Sequence, residues 1–265
     1  MTTPTANYEE ELLAITALFE PECRQPILLL RGAAGKGKTT LLSRALEDLP
    51  PGVKCLRIDL KGSEVGVDEI FQRPSHYFNW TPLSHFTLQL ERLEIPGPVR
   101  TSTNIQVGIG NRIREVLSVE DRPTRDRRYA LLTEAWFRDI LALPGPLVFV
   151  FDTYNHAGTE TREWISRLFL PRIALCEGVR AVVAGQEVPD RNTIEWGHCC
   201  RECTLKGVPE PHHWESVIEH MGRRITAVGL EARRDYLRGI CDFAEGDPYG
   251  IMHWIETLPR EGSPT

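Results

Sequence analysis

Apolar positions along this chain follow two rhythms, one of short continuous runs and one of helical faces. Glu9 to Phe19 places Leu12, Leu13, Ile15, Leu18 and Phe19 on one helical face, with acids in its first turn and Pro21 ending it. Ile27-Leu28-Leu29-Leu30 is a continuous apolar run, as expected of a strand covered on both faces, and Leu41 to Leu46 is helical again. Val53 to Ile58 reads as a second strand closed by Asp59. Residues 62 to 100 mix short helical patterns with prolines and aromatics. Ile105, Val107 and Ile109 then alternate with polar residues up to Gly110-Asn111, and Ile113 to Val119 follows. That pattern predicts an inserted β-hairpin over about 103–119.

Pro123 opens a long helix through Leu131, Leu132, Ala135, Trp136, Ile140 and Leu141. Leu147 to Phe151 and Val179 to Ala184 read as buried strands, with a helix from about Thr161 to Leu175 between them that Pro171 bends. Glu202 to Leu205 is a candidate last strand. From Glu210 onward only helices are predicted, over His213 to Met221, Glu231 to Phe243 and Tyr249 to Leu258. Strands alternating with helices, then helices alone, predict a three-layer α/β domain with a mostly parallel sheet over 1–206 and a small helical subdomain over 207–265.

The most specific local signal sits between the first apolar run and its helix. Gly32-Ala33-Ala34-Gly35-Lys36-Gly37-Lys38-Thr39 is a complete G-x-x-x-x-G-K-T loop, followed by Thr40. Glycines let consecutive backbone N–H groups converge on one point, and the following helix adds unpaired first-turn amides and its positive dipole end. In that chemistry Lys38 reaches the β- and γ-phosphates and the Thr39 hydroxyl holds Mg²⁺. From average residue usage the four fixed positions arise by chance in roughly 1% of chains this long. The flanking strand and helix therefore favour a nucleoside triphosphate site over a plain glycine-rich turn.

Asp152 ends the run Leu147 to Phe151, where α/β sheets gather ligand-binding groups, and is the candidate second metal residue. Its alternative is a helix-capping role. No carboxylate follows within Thr153-Tyr154-Asn155-His156, so the candidates for orienting or deprotonating water are Asn155 and His156, with Glu160 and Glu163 further candidates that also read as first-turn acids of the next helix. Gln186, after the strand Val179 to Ala184, is a candidate γ-phosphate contact that brings no positive charge; a plain turn residue is the other reading. The site is expected to bind better than it turns over.

The formal net charge of −6, with 41% apolar and 26% charged residues, gives no general reason to bind nucleic acid or an acidic membrane. Arg122, Arg125, Arg127 and Arg128 cluster, as a local basic patch or a solvated helix start. No signal pattern or apolar run of ~20 residues is evident, so a cytoplasmic protein with reduced thiols is expected. Cys200 and Cys203 form a C-x-x-C with His198, His212 and His213 nearby, zinc-type ligands in principle, though buried thiols account for them as well.

Together these residues resemble the signal-transduction ATPases with numerous domains, the STAND class of P-loop NTPases that includes the NACHT and NB-ARC groups. The resemblance rests on the loop Gly32 to Thr39 and on Phe151-Asp152-Thr153-Tyr154-Asn155, which is similar to an Asp-Thr-Tyr-Glu acid strand. It also rests on Val182-Val183-Ala184-Gly185-Gln186, where the family often has Gly-Arg, and on Gly246-Asp247-Pro248, similar to its Gly-x-Pro motif. It implies ATP or ADP with Mg²⁺ as ligands and places Pro248 near the nucleotide. It further implies a switch that associates with protein partners or itself, in a bacterial defence or signalling setting. Asn155 and Gln186 depart from the family pattern, which puts catalysis in doubt more than binding. Taken alone, Gly246-Asp247-Pro248 is also an ordinary helix stop and restart. A DNA-associated P-loop ATPase, such as a loader or transposition helper, is the alternative, and a small-molecule kinase a third. No N-K-x-D stretch is present, which favours adenine over guanine.

Overall fold

The computed structural model describes residues 6–20, 22–62, 65–93, 105–192, 194–226 and 229–260. Five parallel strands form one sheet in the order β2-β3-β4-β1-β5. They are β1 (Ile27–Arg31), β2 (Lys54–Asp59), β3 (Leu147–Asp152), β4 (Val179–Gly185) and β5 (Cys200–Thr204). Parallel neighbours require crossover connections, and helices supply them on both faces of the sheet.

Strand alternation divides the interior into two clusters. Ile27, Leu29, Leu56, Ile58, Phe149, Phe151, Ala181 and Val183 face one layer. Its helices are α3 (Val67–Phe78), α4 (Ser84–Arg92), α5 (Ile105–Leu117), α6 (Arg122–Ala142), α7 (Thr159–Trp164) and α8 (Leu170–Leu175). Leu28, Leu30, Val148, Val150, Val182 and Ala184 face the other. That layer comprises α1 (Glu9–Thr16), α2 (Lys38–Glu47), α9 (His212–His220), α10 (Leu230–Phe243) and α11 (Pro248–Thr257). The helices after residue 207 bury Trp214, Val217, Leu237, Cys241, Ile251 and Ile255 in the same cluster as Leu28 and Leu30.

Most elements lie within a few residues of expectation, and two differ for identifiable reasons. The predicted hairpin is helix α5, while residues 103–104 and Pro21 lie outside the described residues. Ile109, Ile113, Val116 and Leu117 recur at helical spacing as well as in partial alternation, so periodicity alone was ambiguous. Gly110 looked like a turn residue but serves close packing. A Cβ there would lie 2.5 Å from Gln72 Oε1 on α3. The helix expected from Thr161 begins at Thr159 and widens into a π turn over Ile165–Phe169 before α8. Pro171 lacks the N–H that a regular α-turn needs there, and the wider turn accommodates that loss.

Candidate functional site

The carboxyl ends of β1, β4, β3 and β2 align at one edge, with Arg31 opposite Gly185, Phe151 opposite Val183 and Asp59 opposite Asp152. The glycine loop leaves β1 at this edge. Gly32 donates its N–H to the Gly185 carbonyl at 3.1 Å. Any larger residue would press on Leu205, whose Cβ lies 3.1 Å from the position a Cβ would take. Gly35 and Gly37 both have left-handed φ, 79° and 77°. They curl the loop into α2, whose first turn has no side-chain cap. An uncapped helix start behind a loop of this shape accepts an anion.

Lys38 folds back in this state. Its Nζ donates to the carbonyl oxygens of Gly32 and Ala33 at 2.7 and 2.8 Å. Burial pulls its pKa down from 10.5, and the Asp152 carboxylate opposes that shift. Thr39, one residue on, donates its hydroxyl to Asp152 Oδ2 at 3.1 Å. The two residues expected to serve a metal are therefore in direct contact across the mouth of the loop. Asp152 is 3% exposed and takes a further N–H bond from Thr153 at 2.9 Å on Oδ1. Thr153 itself sits at φ 61°, a left-handed conformation costly for a β-branched residue, directly after the acid.

Arg57 completes the polar cluster and was not anticipated. From β2, its guanidinium donates to Asp152 Oδ2 at 2.8 Å and to Ser43 Oγ at 2.9 Å. Ser43 in turn donates to the Thr39 carbonyl at 2.9 Å. The only sequence signal was a cation in mid-strand, between the buried Leu56 and Ile58.

The other predicted residues fall into two groups. Asn155 accepts the Gln186 backbone N–H on Oδ1 at 3.0 Å, and its carbonyl accepts from Arg162 at 2.6 Å. Asn155 thus ties the loops after β3 and β4 together. His156 and Gln186 are exposed, and neither side chain has a hydrogen-bond partner among the described residues. Pro248 lines a cavity of about 430 Å³ that opens directly from Gly35, Gly37, Lys38, Thr39 and Thr40. Tyr8, Trp214, Val217 and Met252 form its apolar walls. None of these four was a candidate, because a lone aromatic or methionine on a helical face usually reads as core.

One ion pair ties the helical part to the loop, and two hydrogen bonds steady the segments beside it. Lys36 Nζ lies 3.3 Å from Asp247 Oδ1, and a Cβ on Gly35 would approach that same oxygen to 2.8 Å. Val208 donates its N–H to the Gly246 carbonyl at 2.7 Å. Tyr8 donates its hydroxyl to the Lys206 carbonyl at 2.6 Å. Asp247 also caps α11 through the Gly250 N–H at 3.1 Å, with Pro248 in the first turn. The segment is both a helix restart and a wall of the cavity.

Cys200 faces the aromatic cluster and Cys203 the opposite one, so strand alternation separates the C-x-x-C pair. Burial pushes the Cys200 thiol up to about 12, and no group of three or more His, Cys, Asp or Glu side chains placed to hold a metal is present among the described residues. Arg122 and Arg125 pair with Glu163 and Glu160 at 3.4 and 3.2 Å, and Arg128 donates to the Val116 carbonyl at 2.8 Å. Among the described residues no helix is long and apolar enough to cross a membrane.

No protein-family model and no curated protein matches the sequence. Solved structures do match the fold. A Walker-type ATPase of Pyrococcus abyssi aligns with a TM-score of 0.52 and 15% identity over 96% of this chain and 69% of its own. A signal transduction ATPase with numerous domains (STAND) protein with a tetratricopeptide repeat sensor, from Pyrococcus horikoshii, aligns with a TM-score of 0.53 and 15% identity. This chain is covered over 96% but spans 30% of that protein. The five-stranded parallel sheet between two helical layers, with its helical C-terminal part, has the α/β fold of P-loop NTPases.

Proposed function

We propose that this chain binds ATP with Mg²⁺ and acts as a STAND-type switch, in which nucleotide state sets how residues 207–265 sit on the α/β domain. One observation carries the reading. The Thr39–Asp152 contact lies beside an uncapped helix start, and Thr39 lines a cavity whose other walls include Trp214, Pro248 and Met252. A polyphosphate fits the glycine end and an adenine fits the apolar end. Thr39 and Asp152 would hold the metal, which neutralises phosphate charge. Lys38 would leave the Gly32 and Ala33 carbonyls to meet the phosphates. A ligand gripped by both parts favours one relative orientation over another, and a shorter phosphate tail grips differently.

Hydrolysis is slow in this reading. No carboxylate follows Asp152 within Thr153 to His156, and Asn155 commits its side-chain oxygen to the Gln186 N–H. The output is association with partner chains or a second copy, in a bacterial defence or signalling system. The two solved relatives support a nucleotide site only through the shared fold. A DNA-associated ATPase gains little support, since the chain is acidic and Arg122 and Arg125 are paired with acids.

The test is ATP affinity of the Lys38→Ala variant by titration calorimetry. Losing a charge-assisted contact should weaken binding about ten- to hundredfold, from ~1.5–3 kcal/mol. Equal affinity in wild type and variant would remove the site assignment. Stimulation of ADP release by DNA would move the function to the loader class.

A further inference from the structure

The cluster around Asp152 holds a cation that the nucleotide reading does not use. Arg57 donates to Asp152 Oδ2 at 2.8 Å, the same oxygen that accepts the Thr39 hydroxyl at 3.1 Å. Its other terminal nitrogen is anchored on Ser43 at 2.9 Å, and Ser43 is bonded to the Thr39 carbonyl. The guanidinium is therefore fixed from α2 as well as from β3. Its side chain is 33% exposed while that of Asp152 is 4% exposed. The carboxylate is sealed in, and its counter-charge stands at the edge of the site.

We propose that Arg57 is a built-in counter-cation for the metal acid, neutralising Asp152 so that a nucleotide can enter before a divalent ion, and thereby setting how strongly binding depends on magnesium. The inference rests on the nucleotide-binding reading above. A bare carboxylate in contact with Thr39 would repel a polyphosphate, and the low-dielectric surroundings strengthen that repulsion. With Arg57 in place the Asp152–Arg57 pair is neutral, and Lys38 supplies net positive charge. Arg57 also brings to the site from β2 a positive charge that Gln186, at the end of β4, lacks. With a magnesium ion held by Thr39 and Asp152, the Asp152 carboxylate would no longer depend on Arg57 for its neutralisation.

The experiment measures the affinity of the whole chain for a fluorescent ATP analogue, once with excess EDTA and once with saturating Mg²⁺. Wild type should bind in both conditions with a ratio below about tenfold. Arg57→Gln, which keeps hydrogen-bond donors but loses charge, should weaken EDTA binding at least about tenfold and Mg²⁺ binding far less. Arg57→Lys should stay close to wild type. Adding Asp152→Asn to Arg57→Gln should restore affinity in EDTA. Asp152→Asn alone should tighten binding in EDTA, which keeps the idea open to refutation should Arg57→Gln not fold. Equal loss in both conditions, or no loss in either, would make Arg57 a structural tie only. Weaker EDTA binding by Asp152→Asn alone would overturn the idea by itself. A wild type that binds no nucleotide in either condition sinks the parent reading too; a wild type that binds, with a ratio that Arg57→Gln leaves unmoved, sinks only this inference.

Discussion

The two faces of the sheet are built from different materials. The face covered by α3 to α8 is aromatic: Phe71, Phe86, Trp136, Phe137, Phe149, Phe151, Trp164 and Phe169 interlock with ring centroids near one another, such as 5.1 Å for Phe71 and Phe86 and 5.2 Å for Phe149 and Phe169. The opposite face is aliphatic between the strands and α2, with Leu28, Leu30, Leu41, Leu42, Val148, Val150 and Val182. Every charged group of the site, Lys38, Arg57 and Asp152, belongs to this second side. Large rings with one good packing solution suit a rigid backing. Smaller side chains and a few polar ties suit a face whose outer helices would respond to a ligand in the proposed switch. A strand of alternating parity presents both at once, so β3 carries Phe149 and Phe151 inward to one layer and Asp152 to the other.

Trp136→Ala is the sharpest way to break that division. The ring is fully buried and its Nε1 donates to the Phe71 carbonyl at 3.1 Å. Removing it should cost about 3–5 kcal/mol of stability in denaturant unfolding. If the aromatic side is only backing, ATP affinity of the folded fraction stays within about twofold of wild type, a change of ~0.4 kcal/mol. A large affinity loss would show that the backing helps shape the site.

How much of this was legible beforehand follows the same division. Continuous apolar runs announced β1, β3 and β4, because strands covered on both faces need apolar residues throughout. The loop after β1 and the place of Asp152 at the end of β3 were legible because a glycine pattern and an apolar run closed by an acid are local signals. Helix α5 was misread, since Gly110 looked like a turn when its role is to let α5 approach Gln72. The cavity walls were illegible for another reason. Tyr8, Trp214 and Met252 come from both ends of the chain and meet only through tertiary folding, with no spacing to betray them. Arg57 lay between these cases, a mid-strand charge between two buried residues whose partner is nearly a hundred residues away.

Tyr8 tests the ligand-facing side with a smaller effect. It has a left-handed backbone, is 8% exposed, and donates its hydroxyl to the Lys206 carbonyl. Tyr8→Phe should lose about 0.5–1.5 kcal/mol at neutral pH. Burial first, then the Glu11 and Asp247 carboxylates, push the phenol from 10.0 up to about 12. The folded state thus keeps its proton while the unfolded state releases it. The stability Tyr8 contributes is complete below pH 10.0 and is lost as pH rises through about 12. Unfolding of Tyr8→Phe followed across that window should fall less steeply than wild type. Parallel curves would mean that the phenol is not held neutral by its surroundings.

The smallest expected effect bears most directly on coupling between the loop and the helical part. Asp247 does two jobs, capping α11 through the Gly250 N–H and pairing with Lys36 beside Gly35. Asn is as good a cap as Asp, so Asp247→Asn keeps the helix start and removes only the charge. The pair is partly exposed, with side chains 20% and 31% accessible, so its loss should change stability by at most about 0.2–1 kcal/mol. Affinity should move the other way. A carboxylate leaning on the glycine loop opposes an incoming polyphosphate, and its removal also frees the Lys36 ammonium. ATP binding should therefore tighten by about two- to fivefold, from ~0.4–1 kcal/mol, and more at low ionic strength than at high. Weaker binding would instead mean that the Lys36–Asp247 pair persists in the nucleotide-bound state and holds the cavity in shape, so that the clasp between loop and helices closes on the ligand rather than yielding to it.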